Sequence, residues 1–268
     1  MKAVYFMGDI HGQYDKLVAL LQKAHLVDEH LTWRGGHTTL WFMGDFFDRG
    51  PDGVGAVDLV MRLQAQAASA GGAVKVLLGN HDLLLLAAYE FGNYRSLLLR
   101  AYYDNTEVPI EAVDFFTASW LRNGGEISDL VRLNRKHIRW FSSLPAMAHE
   151  QDKLLAHADS TLYQRYGDSV AQVNQFFHGL FEDGTADDWT KVLDAFGEHE
   201  AFGGKDGQKQ AALFLKIFGG NQLIHGHTPI DKITHTPATE ALVYADGLCV
   251  NVDGGLYRGG KGFVYQLA

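Results

Sequence analysis

Ala3-Val4-Tyr5-Phe6-Met7-Gly8-Asp9-Ile10-His11-Gly12 is a short apolar run that breaks off into polar residues. The same pattern returns twice. Residues 38–43 run into Gly44-Asp45-Phe46-Phe47-Asp48-Arg49-Gly50, and residues 74–78 run into Gly79-Asn80-His81-Asp82. Between these runs, Leu17, Val18, Leu20 and Leu21 recur at helical spacing within residues 15–24, as do Val57, Leu59, Val60, Met61 and Leu63 within residues 52–70. Residues 83–89 also read as a helix. Strands separated by helices predict parallel crossover units and an α/β fold. In such sheets ligands bind beyond the carboxyl ends of the strands, where all three polar motifs fall.

Working outward, residues 93–145 carry no comparable strand pattern, and residues 94–103, 110–121 and 134–144 read as helices. We take this stretch as a helical insertion covering the site, within a single domain of residues 1–268. Strand patterns return at residues 153–156, 223–224, 248–252 and 263–266, while residues 161–222 read as mixed and mostly helical.

A chain of 268 residues buries about three quarters of its unfolded surface, enough for a large core. The net charge of −9 argues against sequence-independent nucleic-acid binding and against an anionic membrane surface, both of which need a basic face. Bound metals would neutralise part of that charge. The single cysteine, Cys249, excludes an intrachain disulfide and sits in the apolar run Leu248-Cys249-Val250, as a buried thiol does. No basic segment or long apolar segment precedes Asp9, so no signal peptide is expected. No stretch of 18 apolar residues free of charge is present, so no membrane span is expected and a cytoplasmic protein is the default. The pattern specifies no oligomeric state.

Aspartate and histidine two apart at a strand end point to the same side, so Asp9 and His11 can grip one cation. Asp45 can bridge two cations with its two oxygens, and Asn80 offers a carbonyl oxygen to the second. Two further imidazoles would complete that second site. The candidates are His157 in Leu154-Leu155-Ala156-His157-Ala158-Asp159 and His227 in Ile224-His225-Gly226-His227-Thr228-Pro229, both of which follow apolar runs.

These motifs, together with Trp120-Leu121-Arg122-Asn123-Gly124-Gly125 and Leu144-Pro145, resemble the phosphoprotein phosphatase family within the calcineurin-like metallophosphoesterases, most closely its phage and bacterial branch. The resemblance covers nearly the whole chain. It implies a four-layer αββα sandwich with metals at one edge. It assigns Asp9, His11 and Asp45 to a first ion, and Asp45, Asn80, His157 and His227 to a second. Imidazole with carboxylate suits manganese, iron or zinc, and geometry alone does not choose among them; manganese is the leading expectation, with iron or zinc as alternatives. Two cations roughly 3.5–4 Å apart can share a water and lower its pKa, and the hydroxide then attacks phosphorus in line. Arg49 offers a planar fork for phosphate oxygens. His81, oriented by Asp48 and favoured in its charged form, is the expected proton donor to the leaving group.

The chain departs from the family in two places. Family members acting on proteins usually have GNHE where this chain has Asp82, and Asp82 with the leucines at 83–86 is similar to symmetrical diadenosine tetraphosphate hydrolases. Those enzymes usually lack the aspartate retained here as Asp48. A second phosphate-binding arginine has no motif match between His157 and His227; Arg165 is the only arginine in that interval, and Asn123 is a further candidate for holding phosphate. His225 is expected to support the ligands, and Asp253 to form a turn or support the site. His25, His30, His37, His137, His149, His178, His199 and His235 read as surface or packing residues. The leading function is a two-metal phosphomonoesterase acting on phosphoserine, phosphothreonine or phosphotyrosine in proteins or peptides. The alternatives are a dinucleoside polyphosphate hydrolase and a metal-binding module without catalysis.

Overall fold

The computed structural model describes residues 2–93 and 95–267. Strands β1 (Val4–Met7), β2 (Thr39–Phe42) and β3 (Ala73–Val76) pair in parallel, with Val4 opposite Thr39 and Thr39 opposite Ala73. Helices α1 (Tyr14–Lys23) and α2 (Gly53–Ser69) make the crossovers, and α3 (Asn80–Phe91) follows β3. Between α3 and the second sheet the chain forms α4 (Arg95–Asp104), a 3-10 turn (Ile110–Ala112), α5 (Phe115–Arg122), α6 (Ile127–Arg132) and α7 (Arg135–Ser142). A second sheet is formed by β4 (Met147–Glu150), β5 (Lys153–Ala156), β6 (Gln222–His225), β7 (Leu242–Tyr244) and β8 (Cys249–Asn251), in the order β4-β5-β6-β8-β7. Its central strands are parallel and its two edges antiparallel. Helices α8 (Val170–Asp183), α9 (Ala186–Ala195) and α10 (Gly207–Phe218) connect β5 to β6, and the short α11 (Ile230–Thr234) follows β6. The chain returns to the first sheet as β9 (Tyr265–Gln266), antiparallel to β1.

Alternation along the strands builds the layers. Phe6, Trp41, Met43, Leu77, Leu155, Ile224 and Val250 pack together between the two sheets. Their neighbours Met7, Leu40, Phe42, Leu154, Leu223 and Cys249 belong to the larger core that includes the helices. The result is the expected αββα sandwich, with Cys249 buried as expected.

The helical stretch from α4 to α7 is tied to α2 by backbone capping. Asp52 caps α2 by accepting from the Gly55 N–H at 2.8 Å, and Asp129 of α6 accepts from Gly53 at 3.2 Å and Val54 at 2.9 Å. These amides have no partner within their own helix. The single helix expected over residues 110–121 is broken, because Val113 is extended and Asp114 starts α5 by accepting from the Thr117 N–H at 3.0 Å. The helix expected at 94–103 begins at Tyr94, outside the described residues; α4 runs from Arg95. Edge strands β4 and β7 and helix α6 have no counterpart among the sequence expectations. Among the described residues no helix is long and apolar enough to cross a membrane.

Candidate metal centre

Asp9 stands just past β1, Asp45 past β2, His157 past β5 and His227 past β6, while Asn80 opens α3. Turning these side chains inward bends the backbone sharply. His11, Asp45, Asp48, Arg49 and His227 all have positive φ, from 47° to 71°, a region that costs a non-glycine residue on the order of 1–3 kcal/mol. Surrounding bonds hold the strained loops. The Asp45 carbonyl accepts from the N–H groups of Ile10 and His11, at 3.0 and 2.9 Å. The buried Asp82 carboxylate accepts from the N–H groups of Asp45, Phe46 and Gly79, at 3.1, 2.8 and 3.0 Å. Asp82 therefore clamps the loop after β2 to the start of α3 and faces backbone, not substrate.

Four donor atoms converge on one side of Asp45. Asn80 Oδ1 lies 2.9 Å from both His157 Nε2 and His227 Nδ1, the two nitrogens are 3.2 Å apart, and Asp45 Oδ2 is 3.4 Å from His157 Nε2. Atoms bound at 2.0–2.2 Å to one ion stand roughly 3–3.5 Å apart, so this set can close on a cation almost without moving. His157 is aimed by its Nδ1–H, which donates to the Met43 carbonyl at 2.7 Å. On the other side His11 Nε2 is 3.9 Å from Asp9 Oδ2 and 3.7 Å from Asp45 Oδ2, and the His11 Nδ1–H donates to the Phe47 carbonyl at 2.8 Å. Asp9 Oδ1 accepts from the His227 N–H at 3.0 Å, but Asp9 Oδ2 is buried without any hydrogen-bond partner. A cation satisfies such an oxygen, so the residues on both sides fit divalent ions. His81 is close enough to His11 and Asp45 to form a three-residue cluster with them.

Burial and the charges of Asp253 and Asp45 push the Asp9 carboxyl well above its ordinary value. Asp45 is held well below it, because His157, His81 and His11 outweigh the effect of burial. His157 rises to about 10 against burial, chiefly through the charge and proximity of Asp45. Burial brings His11 and His227 well down.

The His81 Nδ1–H donates to Asp48 Oδ2 at 2.7 Å, and the Trp120 indole N–H donates to Asp48 Oδ1 at 2.7 Å. Arg49 Nη2 donates to His81 Nε2 at 2.7 Å and Nη1 to His11 Nε2 at 3.1 Å. Both acceptor nitrogens must carry lone pairs, so His81 is neutral here. Burial and the Arg49 charge bring it to about 4, against the pull of Asp45, and burial raises Asp48. Asp48 orients His81 through Nδ1, as expected of the pair, while the Arg49 contact at Nε2 holds the ring neutral in this arrangement. The Arg49 N–H donates to the Gly124 carbonyl at 2.7 Å, and a side chain on Gly124 (φ 91°) would bring a Cβ within 2.8 Å of Arg49 Cγ. The Trp120–Gly125 segment thus fixes both members of the Asp48–Arg49 corner. A cavity of about 230 Å³ lies over these groups, lined by Asp45, Arg49, Asn80, His81, Asn123 and Lys232 among others.

A family model of the calcineurin-like phosphoesterases matches residues 2–231. The chain belongs to that family. It is 41% identical over 87 residues to the symmetrical bis(5'-nucleosyl)-tetraphosphatase of Escherichia coli strain K12 / DH10B, a stretch covering 32% of this chain and 26% of that protein. The chain thus spans about a quarter of the length of the curated relatives it matches. Among solved structures, the cold-active protein-tyrosine phosphatase of a psychrophilic Shewanella superposes with a TM-score of 0.71 at 20% identity, covering 100% of this chain and 75% of that one. A protein serine/threonine phosphatase from Saccharomyces cerevisiae gives 0.53 at 16% identity, covering 99% and 72%. A putative diadenosine tetraphosphatase gives 0.51 at 19%, covering 99% and 93%. At these identities the structures establish the shared fold.

The family uses divalent metals, and the phosphoesterase fold accounts for the gathering of Asp9, His11, Asp45, Asn80, His157 and His227 from loops of both sheets. Arg165 is exposed at the end of the 3-10 turn Thr161–Arg165, where its charge acts on Glu198 and Tyr166, and it does not line the cavity. The second cation there is Lys232 from α11. Asn123 does line the cavity, with its amide N–H donating to the Ser119 carbonyl at 2.8 Å. His199, read as a surface or packing residue, also lines the cavity, its ring 6.1 Å from that of His227. It is brought there because Glu198 accepts from Ser160 and Thr161, and Asp159 accepts from the Glu200 N–H at 3.1 Å. His225 is buried, its Nε2 2.8 Å from the Tyr244 hydroxyl, which donates to Asp159 at 2.7 Å. Tyr257, which no sequence motif marked, lies under Arg49 with the guanidinium carbon 4.4 Å from its ring centre.

Proposed function

We propose that this phosphoesterase is a two-ion phosphatase that hydrolyses phosphomonoesters, with phosphoserine, phosphothreonine or phosphotyrosine in proteins or peptides as its substrates and manganese as its metal, and that it acts in the cytoplasm. The observation that carries this reading is the Asp48–His81 pair, 2.7 Å apart, set beside Arg49 and over the converged donors. Asp9, His11 and Asp45 would hold one ion, and Asp45, Asn80, His157 and His227 the other. The bound pair would supply charge neutralisation for the phosphate and an acidified water as nucleophile.

The chain's own residues do the rest. Arg49 leaves the imidazoles and lays its fork on two phosphate oxygens. Lys232 adds a second positive charge at the cavity. Once Arg49 has moved, His81 Nε2 faces the substrate. The phosphate charge favours the imidazolium, Asp48 stabilises it at Nδ1, and the Nε2–H protonates the departing alkoxide. A merely metal-binding module has no need of this pair.

A second reading, hydrolysis of symmetrical dinucleoside polyphosphates, is favoured by the 41% identity over 87 residues to the tetraphosphatases and by the two cations at the cavity. Asp82 no longer supports it, because that side chain is spent on backbone N–H groups. Rates on a phosphopeptide, a nitrophenyl phosphate and diadenosine tetraphosphate, measured after reconstitution with manganese, decide between the two. Turnover of the dinucleotide alone overturns the first reading.

A further inference from the structure

Asp253 stands just past β8, as Asp9 stands just past β1. The two strand ends lie so close that a Cβ on Gly8 would fall 2.7 Å from the Asp253 Cα. Both carboxylates are buried, at 0% and 2% exposure. They are also satisfied in the same lopsided way. Asp253 Oδ1 accepts from the Gly255 N–H at 2.9 Å and Asp9 Oδ1 from the His227 N–H at 3.0 Å, while Oδ2 of each has no partner. Two buried carboxylate oxygens without partners thus lie on the side of the centre that has the fewest imidazoles. A buried carboxylate oxygen with neither donor nor cation is strongly unfavourable, and two neighbouring ones more so.

We propose that Asp253 is a further ligand of the ion held by Asp9, His11 and Asp45, presenting its unpartnered Oδ2 to that ion. The inference rests on the two-ion reading and gives the two positions different chemistry. The first has three carboxylates and one imidazole. The second has one carboxylate, one amide oxygen and two imidazoles. Oxygen-rich sets suit manganese and magnesium, and imidazole-rich sets suit zinc and iron, so the first position is the more manganese-like of the two.

Asp253→Asn tests this, because the amide keeps the shape of the side chain and the oxygen that serves Gly255. Wild type and variant are compared at pH 8 by thermal melting without metal and by calorimetric titration with manganese chloride. The metal-free variant is expected to melt at or above the wild-type temperature, since one buried charge has gone and an N–H now stands near Asp9. One of the two manganese equivalents is expected to weaken by more than about 100-fold, beyond the roughly 10–100-fold of losing a group that only supports a ligand, and the melting gain from added manganese should shrink. A merely structural Asp253 would move these readouts differently, lowering the metal-free melting point and leaving the isotherm alone. Two manganese equivalents that each stay within about 100-fold of their wild-type affinity overturn the proposal, and so does a metal-free variant that melts lower or fails to fold. Wild type that binds no manganese overturns the two-ion reading itself, and this inference with it.

Discussion

On one side of Asp45 the donors of Asn80, His157 and His227 lie 2.9–3.2 Å apart, with Asp45 itself 3.4 Å from His157. On the other side Asp9 and Asp45 stand 3.7–3.9 Å from His11, and Arg49 already donates to the His11 nitrogen that an ion would need. The first arrangement is assembled by contacts unconnected with substrate, namely the Met43 carbonyl behind His157 and the start of α3 behind Asn80. The second shares an atom with the phosphate clamp. On the proposed two-ion reading, an ion at His11 would have to displace Arg49, and a displaced Arg49 would be free for phosphate. Filling the looser position and readying the proposed clamp would then be one event, while the tighter position would fill independently.

The largest expected effect comes from breaking the tight side. His157→Ala removes a donor on which two others converge, so it should eliminate one bound ion and lower kcat by more than the roughly 10–100-fold typical of groups that only support a ligand. A variant that retains two ions by elemental analysis contradicts the contrast. Asp48→Asn comes next. It should reduce kcat by on the order of 10²-fold, within the range for general acid–base groups, and leave metal content unchanged. Loss of an ion in that variant would mean that the acid pair and the ion positions are not separable. Arg49→Ala should act in opposite directions on the two ligands. KM should rise by about tenfold or more as a charge-assisted donor is lost, and the weaker manganese equivalent should bind more tightly because its competitor has gone. Weaker manganese binding would refute the competition for His11.

The tight side was largely legible because its chemistry lies at strand ends. Apolar runs closed by Gly44-Asp45 and Gly79-Asn80 reveal both the strand and the residue placed beyond it, and the same holds for Ala156-His157. The layers follow from the same runs, since alternating residues of β2 face the second sheet and the helices. What stayed hidden depends on distant partners. Met147-Ala148-His149-Glu150 becomes β4 only by pairing with β5, with Met147 opposite Ala156, and shows no alternation of its own. The spacing of apolar residues cannot show that Asp114 would split a helix, nor that Asp82 would be spent on three backbone amides. Lys232 and His199 reach the cavity from α11 and from the loop after α9, and the loop is held by Glu198 against Ser160 and Thr161. Sequence interval alone points to Arg165, whereas the cation beside Arg49 in the cavity lining is Lys232, from beyond His227.

The smallest expected effect separates the acid pair most cleanly from both ion positions. Trp120 is fully buried, and its indole N–H is the donor to the Asp48 oxygen that His81 does not use. Trp120→Phe keeps an aromatic ring against Gly125 and leaves Asp48 Oδ1 without that bond. An unmet hydrogen-bonding group of this kind costs about 1–3 kcal/mol. Part of that cost should appear as a lower melting temperature and part as poorer aim of His81, with kcat falling by roughly tenfold. KM, and the affinities of both manganese equivalents, should stay at their wild-type values, because Trp120 touches neither Arg49's fork nor any donor atom. If manganese affinity falls in step with kcat, the insertion is shaping the ion positions as well as the proton donor, and the independence of the tight side from its surroundings is lost.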